Sequence, residues 1–239
     1  MGNVLYEIIY NPDMTISLAK GNNKLGKGIY AFNLMPGSKP LTTKDKGQLT
    51  NVCGTCTGCC DGCEKYCYAI KDARRFHITV IPSLGKNTII MRNNIDKGFG
   101  QLKEELIKTH AKILRYHSSG EIENYNYLLH MVQLAEELPK VKFYFYTKRF
   151  EFIERYLNEH HKLPDNLVCN ISEWKGNTDG YNLNGLNRFI YDDGTDDNMK
   201  KFVHCPAVDK NGHKTGVTCD KCKRCFSGNK GIITAVYDH

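Results

Sequence analysis

The chain has 239 residues, 33 Lys and Arg against 26 Asp and Glu for a formal charge of +7, and 41% hydrophobic residues. That composition excludes an intrinsically disordered chain, and no apolar run reaches the roughly 18 residues of a membrane-spanning helix. The start MGNVLYEIIYNPD (1–13) lacks the basic lead and apolar stretch of a secretory signal, and Tyr6 stands where a myristoylation signal needs Ser or Thr. The expected location is cytoplasmic, with no membrane partner. In chain order, GIYAFNL (28–34) predicts a strand that Pro36 and Gly37 end, and a cysteine-rich loop spans 53–70. KGFGQLKEELIKTHAKIL (97–114) carries Leu102, Leu106 and Ile107 at helical spacing, and KILRYHSSG (112–120) predicts a strand running into a turn. NYLLHMVQLAEELPK (126–140) predicts a helix closed by Pro139, followed by the dense β-forming run VKFYFYTK (141–148). FEFIERYLNEHH (150–161) is the next expected helix and NLVCNIS (166–172) the next strand. Such alternation predicts an α/β fold with a parallel sheet, in a single domain over 1–239. The polar stretches 192–198 and 208–216 read as loops, the second inside a C-terminal cysteine motif at 204–226.

Eleven cysteines is an odd number, and a reducing compartment keeps thiols reduced unless a metal binds them. Metal-bound thiolates are anionic and offset much of the formal charge, so basicity argues only weakly for a nucleic-acid partner. Lys and Arg are also dispersed along the chain, as on a solvated surface. Cys219, Cys222 and Cys225 form C-x2-C-x2-C, with a remote Cys205 followed by Pro206. Three thiolates two residues apart with a fourth arriving before proline is the ferredoxin way of holding a [4Fe-4S] cluster. Zinc is the alternative, because C-x2-C pairs also make tetrahedral sites. In the first group Cys53, Cys56, Cys59 and Cys63 match C-x2-C-x2-C-x3-C with Glu64 in place of the usual proline, while Cys60, Cys63 and Cys67 overlap as C-x2-C-x3-C. Six sulfurs exceed the four that one cube requires, so either some are not ligands or the loop shares them. Cys169 stands alone in an apolar strand and reads as a core thiol.

The first group follows an expected strand, which suggests the carboxyl edge of a parallel sheet, where α/β proteins place their chemistry. A three-thiolate cube there leaves one iron open, the arrangement by which radical SAM enzymes bind S-adenosylmethionine. Their loop is C-x3-C-x2-C; here Cys63-x3-Cys67 is followed by Tyr68, but Ile70 occupies the third cysteine's position. In YHSSGE, His117, Ser119 and Glu121 are candidate catalytic groups and Ser118 a candidate cofactor-binding one. The competing reading is a Ser-Gly turn with Glu121 and Asn124 capping the next helix. Lys148 is a candidate cofactor contact at a strand end, with Arg149 beside it, and Arg74 and Arg75 either steady an anionic cluster or face water. The aromatic run Phe143, Tyr144, Phe145 and Tyr146 reads as sheet core rather than a base-stacking platform.

The segments GNNKLGKGIYAFNLMPG (21–37), CEKYCYA (63–69), RYHSSGEIENYNYL (115–128), VKFYFYTK (141–148), CPAV and TCDKCKRC resemble the bacteriophage gene-product-88 family, in the family's order and over most of the chain. The resemblance implies a partial (β/α) barrel similar to that of radical SAM proteins, with cysteine-ligated metal, in an infected or host bacterium. It supplies no biochemical activity, and it carries nothing over to Cys56, Cys59 and Cys60. The expected function is an iron-sulfur protein with one or two [4Fe-4S] clusters and radical-SAM-like chemistry on an unknown substrate, served by a reductant protein. The alternatives are a non-radical iron-sulfur protein for electron transfer, sensing or nucleic-acid binding, and a zinc protein.

Overall fold

The computed structural model describes residues 4–43, 47–174 and 176–237. Residues 1–3, on which part of the signal and lipidation reading falls, lie outside the described residues. The elements run β1 (Leu18–Lys20), β2 (Ile29–Phe32), β3 (Pro40–Thr43), β4 (Gly47–Cys53), α1 (Asp61–Tyr66), α2 (Tyr68–Arg75), α3 (His77–Asn93), α4 (Ile95–Lys108), β5 (Ile113–Tyr116) and α5 (Tyr125–Glu137). They continue with β6 (Lys142–Thr147), α6 (Phe150–His160), β7 (Leu167–Glu173), β8 (Asn187–Tyr191), β9 (Val203–His204), α7 (Cys219–Cys222) and β10 (Ile233–Val236). Eight strands form one sheet in the order β1-β2-β5-β6-β7-β8-β10-β9, and every pairing from β5 to β9 is parallel. The fold is thus mixed α/β with a mostly parallel sheet. That sheet is open, with β1 and β9 at its edges, and no barrel closes among the described residues. Among the described residues no helix is long and apolar enough to cross a membrane.

The chain divides into two compact units, residues 1–19, 31–111 and 117–134 in the first, and 20–30, 112–116 and 135–239 in the second. In the first, β3 and β4 pair antiparallel as a separate hairpin. Met35, Leu41, Leu49, Val52, Ile70, Ala73, Ile81 and Leu84 form one buried cluster, with Cys67 packed at its margin. Helix α3 holds the segment after β2 through two buried polar side chains. Asn87 Oδ1 accepts from Ser17 N at 2.7 Å while its Nδ2 donates to the carbonyls of Ser17 and Asn33, and Thr88 Oγ1 accepts from Met35 N at 2.9 Å. Buried amide and hydroxyl groups are tolerated because each is satisfied. Just past β4, a Cβ on Gly54 would lie 2.0 Å from the Gly37 carbonyl oxygen and 2.3 Å from that of Pro36. Only glycine admits this backbone-to-backbone approach.

In the second unit the pleat separates two faces. Leu114, Phe143 and Leu167 are in register, as are Tyr116, Phe145 and Cys169, and all six are fully buried. Phe143 and Phe145 of the aromatic run are therefore sheet core on this face, and Cys169 is a core thiol. Arg115, Tyr144 and Val168, then Tyr146 and Asn170, alternate with them onto the opposite face. There a C-terminal segment is clasped by three asparagines. Asn170 Nδ2 donates to the carbonyls of Phe145 (3.1 Å) and Cys225 (2.9 Å). Asn187 Oδ1 accepts from Lys230 N and Ile232 N at 3.1 Å each, and its Nδ2 donates to Gly228 O. Asn229 Nδ2 donates to Leu167 O, and its Oδ1 accepts from Cys169 N.

Two stability predictions follow from this geometry. Asn170→Ala, which leaves the Cys225 carbonyl without its amide donor, lowers stability by about 2 kcal/mol, read as a lower denaturant midpoint; an unchanged midpoint refutes the clasp. Gly54→Ala lowers stability by about 3 kcal/mol, whereas Gly100→Ala, where an added Cβ meets nothing within 4 Å, does not.

Candidate metal centres

The first cysteine loop is built by backbone hydrogen bonds to the segment after β2. Thr55 N donates to Met35 O at 2.9 Å and Cys56 N to Gly37 O at 2.8 Å. The loop then turns through Cys59 N to Cys56 O and Glu64 N to Cys60 O into α1 and α2. Thr55 is fully buried, and its hydroxyl donates to Met35 O at 3.2 Å while accepting from Glu121 N at 2.8 Å. Arg92 of α3 holds the near end, donating to the carbonyls of Cys53 (2.9 Å) and Gly54 (3.1 Å) and pairing with Glu123 at 2.7 Å. The strand before this loop is thus hairpin strand β4, not a strand of the main sheet as the sequence suggests. The loop nevertheless rests on residues 35–37, just beyond the carboxyl end of β2.

Among the six sulfurs the loop makes a division. Burial pushes the Cys56 thiol far above its ordinary range, and the Glu121 carboxylate and the sulfurs of Cys67 and Cys63 push it further. Cys59 is also raised, by burial, then by Glu64, Cys63 and Cys60. Cys56 is therefore an electrostatic neighbour of Cys63, Cys67 and the buried Glu121 carboxylate, and Cys59 of Cys63, Cys60 and Glu64. Cys53 is the exposed last residue of β4. Ile70 has a core role: α2 buries Ala69, Ile70 and Ala73 against the hairpin, so the position of a third radical SAM cysteine is an interior one.

The residues of YHSSGE are largely engaged in positioning backbone. His117, at φ +53°, donates its N–H to Phe32 O, and its Nε2 lies 3.0 Å from the Tyr127 hydroxyl. Ser119 Oγ donates to Leu34 O at 2.9 Å, and its carbonyl accepts from Leu34 N. Ser118 N donates to Asn33 Oδ1, and its carbonyl accepts from the Tyr68 hydroxyl. Gly120 has φ +90°, and a Cβ there would come within 2.7 Å of Leu34 Cβ and 2.9 Å of Thr55 Oγ1. Glu121 is buried at 7% exposure, and its Oε1 accepts from Ile122 N. Asn124 caps α5 by accepting from Tyr127 N at 2.9 Å. Of the candidates here, Glu121 is the one whose charge reaches a cysteine.

The second group lies on the polar face of the sheet. Cys225 is an electrostatic neighbour of Cys205, Cys219 and Cys222, and burial pushes its thiol up to about 11 against a hydrogen bond from Tyr146. Cys219 is raised by burial and pulled back by Arg115 and Lys24. The Lys24 ammonium is lowered by burial and by Arg115, and the sulfurs of Cys205, Cys219 and Cys225 oppose that shift. Arg115 lies over the Tyr146 ring, its Cζ 4.8 Å from the centroid. Backbone bonds lock the pieces together: Cys219 N to Lys24 O, Asp220 N to Leu25 O, and Cys205 N to Ala235 O. Phe226 packs on Tyr144 at 5.1 Å between ring centroids. Lys148, in the same unit, donates to Ser172 Oγ at 2.8 Å and lies over Trp174. Arg149 pairs with Glu151 at 2.6 Å.

Among the described residues no three His, Cys, Asp or Glu side chains close into a metal shell. The donor sets nonetheless suit thiolate-bound metal. Each gathers soft ligands, and burial raises the thiols of Cys56 and Cys59 in the first and of Cys219 and Cys225 in the second. Lys24, Arg115, Thr55 and Arg92 are the working residues that sequence reasoning overlooks. Lys24 and Arg115 lie inside segments that carry the family resemblance and Thr55 inside the cysteine-rich loop, but nothing in spacing or periodicity marks any of the four.

The Gene product 88 family model matches residues 16–228, which takes in both cysteine groups and strands β1 to β9. No curated protein and no solved structure matches the chain. With that match over most of its length, the chain belongs to the Gene product 88 family.

Proposed function

We propose that the protein is an iron-sulfur protein with two separate cysteine centres, the first of radical-SAM-like character. The observation that carries this reading is the burial of the Cys56 thiol beside the Glu121 carboxylate and within electrostatic reach of Cys63 and Cys67, on a loop that Thr55 ties to Glu121. Cys63-x3-Cys67 supplies two ligands, and Cys56, rather than position 70, supplies the third. Bound there, a [4Fe-4S] cube supplies one-electron chemistry and one open iron, the position at which S-adenosylmethionine would bind. Glu121 adds negative charge beside the thiols and so favours a cationic occupant. Cys205, Cys219, Cys222 and Cys225 make a complete four-thiolate set, with Lys24 and Arg115 offsetting its charge. That set suits an auxiliary cube and equally suits zinc, which also takes four thiolates.

Two measurements test the reading. After anaerobic purification, Cys56→Ala, Cys63→Ala and Cys67→Ala together remove about half the iron and sulfide, and Cys219→Ala with Cys222→Ala removes about half. The EPR spectrum of the reduced protein changes on adding S-adenosylmethionine, and the first set of substitutions abolishes that change. Colourless protein with zinc at both centres sinks the proposal; zinc at the second centre alone selects the zinc reading there. The metal-free protein has its own pH signature. Cys225 is raised from 9.0 to about 11, so the stability its buried thiol contributes is present below pH 9.0 and lost as pH rises through about 11. The expected loss is on the order of 2 kcal/mol, visible as a falling melting temperature that Cys225→Ala flattens; parallel curves for the two proteins count against it.

A further inference from the structure

In the first unit a cleft of about 380 Å³ opens between the β3–β4 hairpin and helices α1 and α2. Its apolar floor is Leu41 and Ile70, buried at 4% and 7% exposure. Around that floor stand Lys39, the residue before β3, Gln48 of β4, and Glu64 and Arg74 from the helices. The two cations come from separate elements, and among the described residues neither is engaged in an ion pair. A concave apolar patch with a few convergent polar groups is the usual form of a small-molecule site, and this volume lies within the span of about 300–1,000 Å³ typical of such sites.

We propose that this cleft binds an organic phosphate of mononucleotide size. Its phosphate lies between Lys39 and Arg74, where a guanidinium fork and an ammonium suit a doubly charged oxyanion. Its ring lies over Leu41 and Ile70, and a hydroxyl or amino group donates to the Glu64 carboxylate. One carboxylate against two cations leaves the cleft net positive, which selects an anion over a neutral nucleoside. The ligand is felt at the cysteine loop by direct connection. Gly37 lines the cleft and its carbonyl accepts from Cys56 N at 2.8 Å, while Ile70 follows Cys67 by three positions at the start of α2. Binding itself needs no metal, so this proposal and the metal reading stand or fall separately.

The test is calorimetric titration of the full chain with adenosine 5'-monophosphate, adenosine and inorganic phosphate, with metal content measured on each sample. Adenosine 5'-monophosphate binds, and adenosine binds at least about tenfold more weakly. Lys39→Gln and Arg74→Gln each weaken the nucleotide about tenfold and leave melting temperature and metal content unchanged, while Lys142→Gln, the same charge change on an exposed residue in the second unit, leaves binding unchanged. Equal affinity for adenosine and its monophosphate, no effect of the two cleft substitutions, an equal effect of Lys142→Gln, or no binding of either phosphate overturns the proposal.

Discussion

One buried hydroxyl organises the first centre. Thr55 donates to Met35 O and accepts from Glu121 N, so a single side chain joins the segments 33–37, 53–56 and 118–122. Each of these groups is out of water, and a buried polar group left unpaired costs about 1–3 kcal/mol. The next residue along the loop is Cys56, and the residue whose N–H the hydroxyl accepts is Glu121. A thiol and a carboxylate from distant parts of the sequence are thus made neighbours by an oxygen that takes no part in their chemistry. Glycines precede both contacts, Gly54 before Thr55 and Gly120 before Glu121, because the backbones approach too closely for a Cβ.

The two centres solve opposite electrostatic problems. At the first, the Cys56 thiol is buried beside the Glu121 carboxylate, whose charge opposes its ionisation. At the second, Lys24 and Arg115 sit against the sulfurs and pull the Cys219 thiol back toward ionisation. Thiolates ionise most readily next to fixed cations, so the second group carries part of its own compensation. The pleat makes the difference possible. Alternation in β5 and β6 sends Leu114, Tyr116, Phe143 and Phe145 to the core, and Arg115, Tyr144 and Tyr146 to the face where the C-terminal cysteines lie.

The parallel core was legible because its strands and helices carry strong, uninterrupted patterns. The runs 141–148 and 166–172 appear as β6 and β7, and the amphipathic stretches 126–140 and 150–161 as α5 and α6. The hairpin and α3 were not. Residues 40–53 are largely polar, and β3 and β4 bury few side chains between them. Helix α3 buries residues around much of its circumference, including Asn87 and Thr88, and contains Pro82, so helical periodicity is obscured. Cysteine spacing marked the loop as ligand-rich but could not divide six sulfurs, because the division depends on where residues 35–37 and 121 arrive in space. His117 and Ser119 make hydrogen bonds to Tyr127 and to the Leu34 carbonyl, and polar groups beyond a strand end make such bonds as readily as they bind substrate.

The interior position of Ile70 reaches beyond this one chain. A cysteine motif is usually treated as a string of ligands that can be restored wherever a member is missing. Here the string crosses from loop into helix between Cys67 and Ile70, and the helix places residue 70 in the buried cluster that also holds Met35 and Leu84. Editing position 70 to complete C-x3-C-x2-C would open a void in the hairpin core. In proteins of this kind, ligand sets are better inferred from the backbone that carries each residue than from the spacing of the letters.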